Sequence, residues 1–144
     1  MRTYRIAIGC DHAGFSTKQE LVEFLREQGH EVTDFGTNSE ESVDYPDMIH
    51  PVADAVANSD FELGIVLCGS GNGVNITSNK HRGIRSALCW IPEIASLARM
   101  HNNANICAVP ARFVSVEMAK EIVTAFLNTD FEGGRHAARV AKIE

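Results

Sequence analysis

The chain has 144 residues, a length that suits one domain and can bury a core without disulfides or a structural metal. Its residues are 44% hydrophobic and 22% charged, and its net charge of -6 provides no general field to attract nucleic acid or an anionic membrane. We therefore expect a single domain over residues 1–144, no nucleic-acid or membrane partner, and a local Arg or His cluster wherever an anion binds.

Cysteine usage predicts a reducing compartment. Cys68, Cys89 and Cys107 end or interrupt apolar runs, as reduced core thiols do, and no CxxC pair suggests zinc or a redox motif. The segment Tyr4–Ile8 has the pattern of a strand and not of a signal peptide, and no apolar run approaches the roughly 20 residues that span a bilayer. We expect a cytoplasmic protein.

Apolar runs rich in β-branched residues alternate with helical patterns. In chain order, the predicted elements are a strand at Tyr4–Gly9, a helix at Gly14–Gln28, a strand at His30–Phe35, a helix at Asp47–Asn58, a strand at Leu63–Cys68, a helix ending near Lys80, a strand at Ile84–Trp90, a helix at Pro92–Met100, a strand at Ala104–Val109, a helix at Val114–Asn128 and a short helix from about Gly134. This alternation predicts an α/β fold: one doubly wound, Rossmann-like αβα domain with a five-stranded parallel sheet in the order 2-1-3-4-5 and a C-terminal helical arm.

Two polar loops are expected to share one crevice. Such sheets bind ligands beyond the carboxyl ends of their strands, where the strand order reverses. In the order 2-1-3-4-5, that point lies between strands one and three. The loops there are Cys10–His12 and Cys68–Gly73.

The loop Cys68–Gly73 has the composition of an anion-stabilising loop. Glycines at alternate positions leave backbone N–H groups accessible just before a helix N-terminus, where negative charge and a thiolate are favoured. Cys68 can then act as a base while the loop amides hold an enolate oxygen. The alternative is a buried strand-end cysteine before a tight turn. The spacing is that of neither a dinucleotide-binding loop nor a P-loop.

Three further groups each allow a functional and a structural interpretation. Asp11 and His12 suit proton transfer between hydroxyl groups, or Asp11 caps the next helix and His12 is merely exposed. His101 can act as a general acid or base and Asn102 can orient an oxygen, or the pair ends a helix.

The third group consists of arginines. Arg135 and Arg139 are four residues apart on one face of the terminal helix, beside the open amides that follow Gly133 and Gly134. Together with Arg112 they make a candidate phosphate site. The alternative is a solvated surface helix with ion pairs of little energetic consequence.

Taken together, these segments resemble the B-type ribose-5-phosphate isomerases, a family that also contains galactose-6-phosphate isomerase subunits. The resemblance covers nearly the whole chain. The motifs that carry it are Ile8–Gly14, Asp34–Thr37, Asp44–Asp47, Cys68–Gly73, Asn79-Lys80, Gly83–Arg85, His101-Asn102 and Gly133–His136.

The resemblance implies roles in the chemical step. Cys68 would move a proton between C1 and C2 of the sugar, and the amides of the loop Gly69–Gly73 would stabilise a cis-enediolate. Asp11 and His101 would assist opening of the furanose ring, and Ser70 would bond a sugar hydroxyl.

The resemblance also implies how substrate is held. Tyr45 and Asn102 would position the sugar. The loop residues implied to contact substrate are Gly69, Gly71, Asn72 and Gly73, and the phosphate would be held by His12, Arg112, Arg135 and Arg139. No metal or organic cofactor is implied. Homodimers or dimers of dimers with shared active sites are implied, together with a place in the pentose phosphate pathway.

One branch of the family has a Glu base where this chain has Val74, so Cys68 has to be the base here. Ser70 and Asn72 are more typical of that branch, whereas Cys68 is typical of the other. The favoured substrate is ribose 5-phosphate. The alternatives are an isomerase of allose 6-phosphate or galactose 6-phosphate, and a non-catalytic sugar-phosphate-binding module on the same fold.

Overall fold

The structure, a computed structural model, describes residues 2–144. Its sheet consists of five parallel strands: β1 (Arg5–Cys10), β2 (Glu31–Asp34), β3 (Leu63–Cys68), β4 (Ser86–Leu88) and β5 (Ile106–Pro110). The helices are α1 (Phe15–Glu27), α2 (Tyr45–Ala57), α3 (Asn72–Ser78), α4 (Pro92–Asn102), α5 (Val116–Leu127) and α6 (Arg135–Ala141). A 3-10 turn over His12–Gly14 joins β1 to α1.

The core lies in two layers, one on each face of the sheet. Side chains alternate along a strand, so Ile65 and Leu67 of β3 pack toward α1, α4 and α5, whereas Val66 and Cys68 pack toward α2 and α3. Every residue of β1 after Arg5, and all of β3 and β5, is buried. The predicted doubly wound α/β architecture is therefore confirmed.

The predicted order of the last two strands is wrong. The observed order is β2-β1-β3-β5-β4, so β5 lies between β3 and β4. The continuous apolar run Ile106–Pro110 suits a strand covered on both faces, whereas β4 is short and half-buried, as edge strands are. The reversal point between β1 and β3 is unaffected, but the loop after β5 becomes a neighbour of the loop after β3.

The two edges of the sheet carry different segments. The carboxyl edge, where the strands end, carries the loops after β1, β3 and β5. The amino edge, where the strands begin, carries the end of α4, because that helix leads directly into β5. The helix α6 contacts α4, and Gly83, just before β4, donates its amide to the Glu144 carboxylate at 2.8 Å. The C-terminal arm therefore folds back on the amino edge of its own chain.

Within residues 2–144, no helix has the length and apolarity to cross a membrane.

Candidate active site

Backbone hydrogen bonds join three loops at the carboxyl edge. The Asp11 amide donates to the Leu67 carbonyl at 3.2 Å, which ties the loop after β1 to the end of β3. The Ala111 amide donates to the Cys68 carbonyl, and the Arg112 amide donates to the Gly69 carbonyl, both at 2.9 Å. The loops after strands one and three thus meet at the predicted reversal point, and the loop after β5, which contains Arg112, joins them.

Cys68 differs from the other cysteines in accessibility. Its residue is 5% exposed, whereas Cys10, Cys89 and Cys107 are 0% exposed. Burial raises the pKa of Cys10 to about 12, and a hydrogen bond with Cys89, together with burial, raises the pKa of Cys107 well above its usual value. These two thiols stay protonated at neutral pH. Of the four cysteines, Cys68 alone retains some solvent exposure.

The glycine loop is held in shape by its own polar side chains. The Ser70 hydroxyl oxygen accepts from the Asn72 amide at 3.3 Å and from the Asn72 side-chain amide at 3.1 Å. Gly71 has φ of 78°, the left-handed region that favours glycine, and α3 begins directly after it. The amides of Ser70 and Gly71 have no acceptor among residues 2–144. This turn presents free N–H donors next to Cys68.

Two glycines of the loop make room for side chains that cover it. A Cβ at Gly69 would lie 3.2 Å from Cδ of Arg112, so the Arg112 side chain lies across the loop. A Cβ at Gly73 would lie 2.6 Å from Cε1 and Cζ of Tyr45, so the Tyr45 ring rests on that backbone. The predicted binding residues Arg112 and Tyr45 therefore both lie against the glycine loop, and both are exposed to solvent.

Asp11 makes the hydrogen bonds of a capping residue, which is the structural alternative predicted for it. Its Oδ1 accepts from the Ala13 amide at 2.9 Å and the Gly14 amide at 3.2 Å, which caps the 3-10 turn. His12 is half-buried rather than merely exposed, and its Nδ1 accepts from the Val43 amide at 3.2 Å. In a neutral imidazole with Nδ1 as acceptor the proton is on Nε2, so the remaining ring nitrogen of His12 is a donor.

The remaining predicted site residues lie at the amino edge. His101 and Asn102 end α4, where the Asn102 carbonyl accepts from Nε of Arg85 at 3.1 Å. They line a groove of about 400 Å³ together with Arg139 and three other residues of α6 and the C-terminal segment, His136, Val140 and Ile143. Arg135 begins α6 and is exposed. At about 3.3 Å per residue, the five residues of β5 put the two edges roughly 15 Å apart. One chain therefore does not bring His101 to its own Cys68.

Sequence reasoning missed an ion pair that a fully buried lysine makes close to the loop after β1. Lys18 is 0% exposed, and its Nζ donates to Oδ1 of Asp34 at 2.5 Å and to the Thr37 carbonyl at 2.7 Å. The Thr37 amide in turn donates to the Cys10 carbonyl at 2.8 Å. Lys18 thus fixes the start of the segment that leads to Val43 and α2. The available signal was a lysine on the same face of α1 as the apolar residues Leu21, Val22 and Leu25.

The fold and the carboxyl-edge site together define a class of protein. A doubly wound domain with a thiol beside free loop amides, and with the Arg112 guanidinium against the same loop, has the parts of an enzyme that acts on a small anionic molecule.

Comparison with known proteins gives the family. A family model described as Ribose/Galactose Isomerase matches residues 6–143. The chain is 48% identical over 139 residues to ribose-5-phosphate isomerase B of Escherichia coli K12, covering 96% of this chain and 93% of the relative. A crystal structure of a ribose 5-phosphate isomerase from Thermotoga maritima superposes with a TM-score of 0.95 at 49% identity, covering 97% of each chain. The corresponding enzyme of Clostridium thermocellum gives a TM-score of 0.95 at 48% identity, covering 96% of this chain and 94% of that one. The chain belongs to the Ribose/Galactose Isomerase family.

Proposed function

We propose that this protein interconverts ribose 5-phosphate and ribulose 5-phosphate through a cis-enediolate, with Cys68 as the base. The relatives named for this reaction match nearly the whole chain at close to half identity. The observation that carries the proposal is the position of Cys68, a thiol at the strand end beside loop amides that have no acceptor among residues 2–144.

The chemical step needs a base and a place for negative charge. The Cys68 thiolate removes the proton on C2 of the open-chain aldose, and the C2–H electron pair becomes the C1=C2 double bond. The negative charge that develops on O1 is stabilised by the amides of the Gly69–Gly73 loop. Return of the proton to C1, with transfer of the O2 proton to O1, gives the ketose. Val74 is buried and has no proton acceptor, so it cannot replace the thiolate.

The site proposed for this reaction is shared between two copies of the chain. His101, Asn102, Arg135 and Arg139 are needed for ring opening and for sugar and phosphate binding, but they belong to the amino edge. A neighbouring copy in a symmetric dimer can bring its amino edge to this copy's carboxyl edge, and the twofold axis then repeats the contact. Since Oδ1 of Asp11 already caps a turn, His101 of the neighbour is the principal ring-opening group.

An exposed apolar cluster beside the crevice supports the proposal that a second copy of the chain binds at this edge. Trp90 and Ile91 follow β4, Ile94 is in α4, and Phe113 follows β5, with exposures of 44%, 44%, 42% and 63%. The rings of Trp90 and Phe113 lie 5.6 Å apart between centroids. Adjacent exposed apolar side chains mark an interaction surface, and a partner there would also deepen a crevice that is shallow in one chain.

The phosphate site follows from the same arrangement. His12 and Arg112 are supplied by one copy, and Arg135 and Arg139 by the other. On a chain with a net charge of -6, this local cluster supplies the attraction for a dianionic phosphate that the overall charge does not.

The proposal includes one catalytic domain over residues 1–144 and a cytoplasmic location, which the four free cysteines favour.

One assay tests the function directly. Purified protein is incubated separately with ribose 5-phosphate and allose 6-phosphate, and ketose formation is followed to give kcat/KM for each. We expect the higher kcat/KM for ribose 5-phosphate and almost none for the Cys68→Ala variant. A higher kcat/KM for allose 6-phosphate would make the enzyme a hexose-phosphate isomerase, and turnover of neither would overturn the proposal.

A further inference from the structure

A cluster of three metal-ligating side chains lies at the amino edge. His101 ends α4, His136 is in the first turn of α6, and Glu132 lies in the segment between α5 and α6. The Glu132 amide donates to the Met100 carbonyl at 3.0 Å, which fastens this segment to the end of α4. One ligand atom from each of the three side chains can be chosen so that all lie within 4.8 Å of one another.

The second observation is an unpaired nitrogen in that cluster. Nε2 of His136 is buried and has no hydrogen-bond partner, in a residue that is 6% exposed. The closest carboxylate oxygen, Oε1 of Glu132, is 3.6 Å away, which is too long for a hydrogen bond. Buried polar atoms are almost always paired, and an imidazole nitrogen without a partner is the atom that a bound ligand would satisfy.

We propose that His101, Glu132 and His136 bind a borderline divalent metal ion of the Zn²⁺ type. Two imidazoles and one carboxylate, with an open fourth position, are a known ligand set for zinc. With metal–ligand bonds of about 2.0–2.2 Å, tetrahedral ligand atoms lie about 3.3 Å apart, close to the 3.6 Å between Nε2 of His136 and Oε1 of Glu132. Imidazole ligands disfavour Mg²⁺, which prefers oxygen.

One ring has to turn for both histidines to bind the ion. The rings of His101 and His136 are stacked, with centroids 4.3 Å apart and planes at 15°, so their lone pairs do not yet converge. His101 is half-buried whereas His136 is buried, so the His101 ring is the one that would rotate. The fourth position would open into the groove that Arg139 also lines, and that guanidinium opposes a dication. We therefore expect micromolar affinity, well below that of a structural zinc site.

The ion would act as an inhibitor and not as a cofactor. This consequence, unlike binding itself, rests on the proposed function, in which His101 opens the sugar ring. A metal-bound imidazole nitrogen has no lone pair for proton transfer, and the ion also blocks the groove. Catalysis and metal binding thus compete for the same side chain.

Binding is measured on untagged protein in a Cys68→Ser background, which removes the one thiol at the crevice as a ligand. Zn²⁺ is titrated by calorimetry, and Co²⁺ by the visible absorption of a tetrahedral site. Glu132→Gln removes a ligand whose side chain is 57% exposed, so the fold is retained, and Asp130→Asn is the matched control in the same exposed segment. We expect one ion per chain, at least about tenfold weaker binding in Glu132→Gln, and no change in Asp130→Asn. Absence of saturable binding, or equal binding by both variants, overturns the inference.

The kinetic arm uses otherwise unaltered protein. Zn²⁺ at micromolar concentration should lower the isomerase rate, a chelator should restore it, and Glu132→Gln should need at least about tenfold more Zn²⁺ for the same inhibition. Mg²⁺ should have no effect. If the protein binds Zn²⁺ at this cluster but turns over no sugar phosphate, the proposed function fails and the metal site stands. If it turns over ribose 5-phosphate but does not bind Zn²⁺, the metal site fails alone.

Discussion

Cys68 and His101 lie at opposite edges of the same sheet. Cys68 is the last residue of β3, whereas His101 is in the last turn of α4, just ahead of the start of β5. Since β3 and β5 are parallel neighbours, the length of a strand separates the two side chains. A reaction that uses both requires two chains.

Mixing two inactive variants tests that requirement. Cys68→Ala and His101→Ala are combined under conditions that exchange subunits, with exchange verified by mass spectrometry. In a shared-site heterodimer, one site receives both lesions and the other receives neither. Random mixing should therefore restore up to about a quarter of full activity. Confirmed exchange without recovered activity would mean that each site is built within one chain.

Cys68 should be the most reactive thiol of the chain, and the isomerase activity should depend on it. Iodoacetamide should label Cys68 before Cys10, Cys89 or Cys107, because those three are fully buried. Labelling should abolish activity, and excess ribose 5-phosphate should slow both processes. Cys68→Ser should lower kcat by about 10²–10⁴-fold, the usual contribution of a positioned base, with little change in KM. Peptide mass spectrometry locates the label, and first labelling of another cysteine would count against the assignment.

Gly73→Ala tests the contact between the loop and Tyr45. Gly73 does not have a positive φ, so its backbone accepts alanine, but the new Cβ would lie 2.6 Å from the Tyr45 ring. Displacing the ring from the sugar site should lower kcat/KM by roughly tenfold to a hundredfold. The matched control is Gly73→Ala in a Tyr45→Ala background, where the second change should add little. Equal losses in both backgrounds would show that the loop, and not the tyrosine, is disturbed.

His30 should make folding stability depend on pH. Its Nδ1 accepts from the Tyr4 amide at 3.1 Å, and burial lowers its pKa below the ordinary value of 6.5. As pH falls below 6.5, the unfolded chain binds a proton that the folded chain does not. The contribution of His30 to stability is thus complete above that pH and is lost as pH falls through its folded pKa. The loss amounts to at most about tenfold in the unfolding equilibrium per pH unit.

The measurement compares urea midpoints at pH 7.5 and 5.5, at one fixed protein concentration because association would shift them. In His30→Asn, the amide oxygen can still accept from the Tyr4 N–H, but the side chain does not titrate. The difference between the two midpoints should be smaller in this variant than in the unaltered protein. An undiminished difference would assign the effect to other groups.

Local patterns in the sequence determined the elements of this protein and the chemistry at one edge. The apolar run Leu63–Cys68 indicated a strand covered on both faces, and the glycines after it indicated a turn with free amides. Parallel pairing of β1 with β3 then followed from the alternation of strands and helices, which is why the Cys68 crevice was predictable.

Only the tertiary structure decided the order of β4 and β5 and the position of the second set of site residues. Either order is compatible with the sequence pattern, because both connections are long enough to cross one strand. Packing determines the order, because the fully apolar β5 gains more from burial on both faces than β4 does. The position of β5 beside β3 brings Arg112 against Gly69. His101 and Arg139 are adjacent through the packing of α6 on α4, a contact between distant segments that no local spacing encodes.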